Sequence, residues 1–171
     1  MAVKIPTATE LTQLTPTEKL VAEALITGVS NAQGADDLSM STGTFSAHVS
    51  SIGRKFQVTS RKGRAARAHA VLASGQVAPP VAPAVVPDFT HVELRLLRAL
   101  AEHPETHDIS RAAGIPLADV RPQLRDLVAK AVADNDTHLI GLGHAWRLLG
   151  AGGSGSSSAD VAATEPGGAA S

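Results

Sequence analysis

The chain has no cysteine and no tyrosine, only three phenylalanines and one tryptophan, and a formal net charge of −1 over 171 residues. Without cysteine there are no disulfides, thiolate zinc sites or cysteine nucleophiles, a composition that fits a reducing cytoplasm. No run approaches the roughly 20 apolar residues that span a bilayer, and MAVKIPTATELTQ lacks the apolar core of a signal peptide. The expectation is a cytoplasmic protein without membrane contact. A near-zero net charge points to no polyanionic partner, but the charge is unevenly spread. From 14 to 76, seven Lys and Arg stand against four Asp and Glu, and five of those seven fall between Arg54 and Arg64. From 88 to 150, seven basic residues face nine acidic ones.

What is present divides the chain into five stretches: a flexible lead 1–13, a helical module 14–76, a proline-rich linker 77–87, a second module 88–150, and a Gly/Ser/Ala-rich tail 151–171 expected to be disordered. Four prolines in the eleven linker residues favour extended polyproline geometry, about 34 Å at roughly 3.1 Å per residue. No internal repeat is evident.

In the first module, Thr15 and Glu18 form a capping box with Pro16 at the first helical position, and Gly28 ends that helix. Ser30 caps a short second helix to about Leu38. Ser41 caps a third, in which Phe45, Val49, Ile52 and Phe56 form the apolar stripe and Ser46, Ala47, Ser50 and Arg54 lie on the opposite face. Hydroxyls of Thr42 and Thr44 stand near the positive end of this helix, where a phosphate is favoured. A fourth helix, rich in Ala, is predicted over 61–74.

Residues Leu14 to Ala66 resemble the LuxR-type DNA-binding domain. Leu14-Thr15-Pro16, Glu18, Gly28, Ser30-Asn31, Ala35, Leu38, Met40-Ser41, Thr44, His48-Val49, Ile52, Lys55-Phe56, Val58 and Arg61 fall at that family's spacing, over about a third of the chain. The family usually has Arg where Thr17 stands and an acid where Leu20 stands. The resemblance implies that Ser46, Ala47 and Ser50 occupy base-facing positions, where Lys is typical at the first. It also implies that Lys55 and Arg61 meet phosphates, a strip that Lys62 and Arg64 extend. His48 is weighed evenly between a structural role and a phosphate contact. Serine and alanine cannot make the bidentate contact to guanine that Arg and Lys make, so modest specificity is expected. In the family the fourth helix is the usual dimer contact, and Ala65, Ala66, Ala68, Ala70, Val71 and Leu72 leave surplus small apolar surface. A weak homodimer through helix 61–74 is the expectation.

In the second module, Val92, Leu96, Leu97, Leu100 and Ala101 predict one helix, Asp108 caps a short second one to Ala113, and a third runs from Asp119 to Ala131. Leu139-Ile140 and Ala145 to Leu149 predict two short strands around Gly141 to Gly143, with Trp146 as core. This pattern resembles a winged helix-turn-helix domain. The fold expected is mainly α, two small helix-turn-helix domains of which the second carries a short β wing. Pro122 in the presumed reading helix, an uncharged wing and Asp134 and Asp136 beside it argue against groove entry. Arg111, Arg121 and Arg125 argue for a second DNA or partner contact, so protein contact is placed slightly ahead of DNA contact for this module.

The seven histidines are scattered, and His103 and His107 flank Pro104 without carboxylate or thiol companions, so neither metal nor cofactor is expected. No nucleophile and base are paired in the sequence, and no enzyme is expected. The reading is a bacterial-type transcription regulator that binds double-stranded DNA. Its competitors are an adaptor that holds a protein through the winged helix, and a plasmid or phage replication or partition factor.

Overall fold

The computed structural model describes residues 13–150; the predicted lead up to 12 and the tail from 151 lie outside the described residues. Eight helices and no strand occur among the described residues: α1 Pro16–Ile26, α2 Asn31–Asp37, α3 Thr42–Lys55, α4 Arg64–Ala73, α5 His91–Glu102, α6 Thr106–Ala113, α7 Leu117–Lys130 and α8 Asp136–Ala145. None is long and apolar enough to cross a membrane.

Local chemistry explains the starts. The Thr15 hydroxyl accepts from the Glu18 amide while the Glu18 carboxylate accepts from the Thr15 amide, so two free amides of the first turn are satisfied reciprocally. Ser30 and Ser41 cap α2 and α3 in the expected way. The fourth helix starts at Arg64, later than predicted, because residues 61–63 form a turn closed by the Gly63 amide on the Ser60 carbonyl. Helix α6 begins at Thr106, two residues before the expected cap, which leaves Asp108 in its first turn, where a negative charge is stabilising.

The β wing is corrected. Residues 136–145 are helical, capped by Asn135, whose side chain accepts from the His138 amide. Gly141 and Gly143 mark close packing instead of a turn: a Cβ on Gly141 would lie 2.7 Å from the Ile26 carbonyl oxygen, and one on Gly143 would lie 2.8 Å from the Leu149 side chain. Trp146 sits at the end of α8, half-buried, with its indole N–H donating to the Pro83 carbonyl. That bond, with Val77 buried and Pro80 against Gly141, lays the proline-rich segment along the helices instead of extending it between them.

With the wing replaced by a helix, the two halves share one plan. Starts at 16, 31 and 42 recur at 91, 106 and 117, and the end of α3 at 55 recurs as the end of α7 at 130, each shifted by 75 positions. The same shift carries the capping box Thr15/Glu18 onto Thr90/Glu93 and the ion pair Glu18–Lys55 onto Glu93–Lys130. It carries the core positions Phe45, Val49 and Ile52 onto Val120, Leu124 and Leu127. Even the helix ends agree: Gln57 and Val132 have φ of 60° and 54°, and each is followed by an amide bonded back to the helix, Val58 to Gly53 and Ala133 to Val128. The structure therefore contains a repeat that the sequence conceals.

The two units pack through their last helices, α4 against α8, within one continuous hydrophobic cluster. Ala65, Ala66, Ala68, Val71 and Leu72 of α4 are buried there, so the surface that suggests a homodimer is covered within the chain. Packing across the seam is reciprocal. The α8 helix also packs on α1, as α4 does on α5. Asn135 donates to the Gly28 carbonyl at 2.6 Å, and in the mirrored place Ser60 donates to the Glu105 carboxylate at 2.7 Å. Such reciprocity is the signature of a two-fold relation.

Candidate nucleic-acid interface

Helix α3 turns one face to the core and one outward. Phe45, Val49 and Ile52 are buried, whereas Thr42, Thr44, Ala47, Ser50 and Arg54 are exposed and Ser46 lies half-buried between them. At its N-terminus the Ser41 hydroxyl accepts from the Thr44 amide and lies 2.8 Å from the Thr44 hydroxyl, so the cap is ordered before anything binds. Beyond its C-terminus, Arg61 and Lys62 are exposed on the turn into α4. That turn is held from beneath by Arg67, a buried guanidinium that donates to the carbonyls of Val58 and Ser60 at 2.8 and 2.7 Å. Burial lowers its pKa.

Two residues that charge and resemblance assign to phosphates are engaged inside the protein. Lys55 is half-buried and donates to Glu18 at 2.5 Å and to the Gln13 carbonyl at 2.9 Å. Burial raises the Glu18 pKa, but the bonds from Lys55, the Thr15 amide and Ser51, with the Lys55 charge, outweigh it and hold the carboxyl at about 2. Arg64 is also half-buried and donates to Asn31 Oδ1 at 2.6 Å and to the Val29 carbonyl at 2.5 Å. Its pKa is lowered by burial and by the Arg67 charge.

A relay runs from there to the outer face of α3. Asn31 donates from Nδ2 to the Ser46 hydroxyl at 2.9 Å, so Arg64, Asn31 and Ser46 form one chain of hydrogen bonds. Ser46 is consequently oriented from within the protein, whereas Ser50 is exposed. His48 is half-buried on the flank of the same helix. Nothing in the local sequence flags Asn31 as part of the site, since its partners stand 15 and 33 positions away.

In the second unit, Arg121 and Arg125 are exposed on α7, one turn apart, and Arg111 is exposed on α6. Pro122 does not break α7, which runs unbroken from Leu117 to Lys130. The carbonyl it leaves without an amide, that of Ala118, belongs to an exposed residue and is open to water. Arg121 and Arg125 share with Lys62 and Arg64 a cleft of about 710 Å³ at the seam between the units, walled by Ala66, Leu100 and Leu124; Arg111 is not part of it. Asp136 lies in the same cleft, its pKa raised by burial against the opposing charge of Arg121.

Residues 12–68 match the family model described as GerE, bacterial regulatory proteins of the luxR family. No curated protein and no solved structure matches the chain. The match covers about a third of the chain and takes in α1, α2, α3 and the start of α4. The first helical unit is therefore a helix-turn-helix domain of the luxR family.

Proposed function

We propose that this protein is a DNA-binding transcription regulator that engages duplex DNA with the outward face of α3. The observation that carries this reading is the exposed face itself, within the luxR-family match. Its hydroxyls stand at the positive end of the helix, and Arg54, Arg61 and Lys62 extend it with exposed positive charge. Phosphates are drawn to such an arrangement by charge and by the free amides of the helix terminus. Arg54, Arg61 and Lys62 act on phosphates, which positions the protein without reading sequence. Ser46, Ala47 and Ser50 meet the base edges. Because they are small, this unit reads the sequence weakly and relies partly on DNA shape.

The test is a salt titration of DNA binding by the full chain carrying Arg54→Ala, Arg61→Ala and Lys62→Ala. Affinity should fall for all sequences alike, and the slope of log affinity against log salt should flatten by about 0.9 for each phosphate that is no longer neutralised. An unchanged affinity and slope would remove α3 and its following turn as the DNA-binding surface.

A further inference from the structure

We infer that residues 88–150 form a second DNA-reading unit, that Arg121 and Arg125 contact base edges, and that a single chain thereby occupies a site with two unlike halves. This inference rests on the DNA-binding reading of the first unit.

The 75-position shift that superposes the helix starts, capping boxes, ion pairs and core positions also carries Ser46, Ala47 and Ser50 onto Arg121, Pro122 and Arg125. The outward face of α7 thus presents, at the positions where α3 is small, two exposed guanidinium groups on adjacent turns. A guanidinium offers two parallel N–H donors that fit O6 and N7 of guanine in the major groove. Ser50 has one hydroxyl and no such fork.

The three sequence features that speak against groove entry look different in the fold. The uncharged wing is a buried helix, α8. Pro122 leaves α7 continuous. Of the acidic charges, Glu93 is paired with Lys130 at 2.7 Å. Asp134 and Asp136 line the same cleft as Arg121 and Arg125, and so do Lys62 and Arg64 of the first unit, Lys62 lying 3.6 Å from the Glu105 carboxylate and Arg64 bonded to Asn31 and the Val29 carbonyl. The cleft thus gathers four basic side chains from the two units against Asp134 and Asp136, a balance that the sequence of the second unit alone does not show.

Helix-turn-helix proteins commonly reach two half-sites by pairing two subunits, so that the symmetry of the site mirrors that of the dimer. Here the reciprocal packing across the α4–α8 seam makes the pairing within one chain, and it covers the apolar face of α4 on which a second copy would dock. The two reading faces differ, so the halves of the site differ: one contains guanine, and the other is read weakly.

The experiment is selection of binding sites from random duplex DNA by the full chain, with sedimentation to count chains per duplex. The expected result is an asymmetric site with guanine in one half, bound by one chain. Arg121→Ala with Arg125→Ala should erase the guanine preference and lower affinity for the selected site roughly 10- to 100-fold, while Ser50→Arg should introduce guanine into the other half. All three positions are exposed, and a thermal melt verifies that each variant folds. An unchanged site and affinity in the double variant, or two chains per duplex, overturns the inference and leaves the α7 face to a protein partner. If the native chain binds no DNA, this inference and the reading of the first unit fail together; if it binds DNA but ignores the α7 substitutions, only this inference fails.

Discussion

Glu18 and Glu93 perform the same act in the two units, each closing a capping box and each accepting from a lysine at the end of the third helix of its unit, but their surroundings differ. The Glu18 side chain is 5% exposed, against 29% for Glu93. A drop in pKa from 4.5 to about 2 at Glu18 corresponds to stabilisation on the order of 3 kcal/mol at neutral pH. Because the folded pKa is depressed, that stabilisation is complete above the unfolded value and is lost as pH falls from about 4.5 toward 2. The Glu93 pair is half-exposed and belongs with surface pairs worth about 0–1 kcal/mol. Glu18→Gln should therefore lower the melting temperature at pH 7 by roughly 6–12 °C, taking 2–4 °C per kcal/mol for a chain of this size, and Glu93→Gln by no more than about 4 °C. At pH 3 the deficit of Glu18→Gln should shrink to less than half. Equal losses for the two variants, or a Glu18→Gln deficit as large at pH 3 as at pH 7, would refute the account.

The seam between the units carries its own titration. His69 Nδ1 and His144 Nε2 lie 2.9 Å apart, and one must be unprotonated to accept. Burial, reinforced by the His69 charge, lowers His144 to about 4; burial also lowers His69, against the opposing charge of Glu102. Folded pKa values below the unfolded 6.5 mean that stability falls as pH drops from about 6.5 to 4, by up to roughly 3 kcal/mol from His144, and urea titrations of the native chain and of His144→Gln should differ in their pH dependence only in that window. Gly141→Ala should cost roughly 1–3 kcal/mol, because its methyl meets the Ile26 carbonyl and Pro80 and must push α8 off α1. Gly43→Ala, with nothing nearer than Ser41 Oγ at 3.9 Å, should instead stabilise by about 0.5 kcal/mol; similar melting curves for these two variants would contradict the packing described.

Helices α1 to α3 are legible in the sequence because their caps, stripes and the Gly28 stop are local signals of three or four residues, and each agrees with its neighbours. Helix α8 is not. It is buried on most sides, with Leu139, Ile140, Gly141, Leu142 and Gly143 all inside, so it has no polar face to give a helical period, and its glycines read as a turn. The repeat is hidden because burial constrains size and polarity at the core positions but not identity: Phe45 answers to Val120 and Val49 to Leu124. Only a few positions keep the same residue, among them Thr15 and Thr90, Glu18 and Glu93, and Lys55 and Lys130. Charge and resemblance point Lys55 and Arg64 toward phosphates, whereas their internal partners, Glu18 and Asn31, stand 37 and 33 positions away. No local pattern connects residues so far apart. The exposed outward face of α3, by contrast, follows from helical spacing alone.

The seam of α4 with α8 lies within one polypeptide, joined by a segment that Trp146 holds at Pro83. Dilution cannot separate halves that share a backbone, so the paired form persists at a few copies per cell as well as at micromolar concentration, with no threshold of abundance to cross. The same linkage frees the halves from keeping identical faces. In a pair of identical chains every substitution appears twice, and a change that suits one side must be tolerated by the other; here Arg121 can be gained on one side while Ser46 is kept on the other. The chain can thus drift toward an asymmetric task one helix at a time without losing the partner that stabilises it.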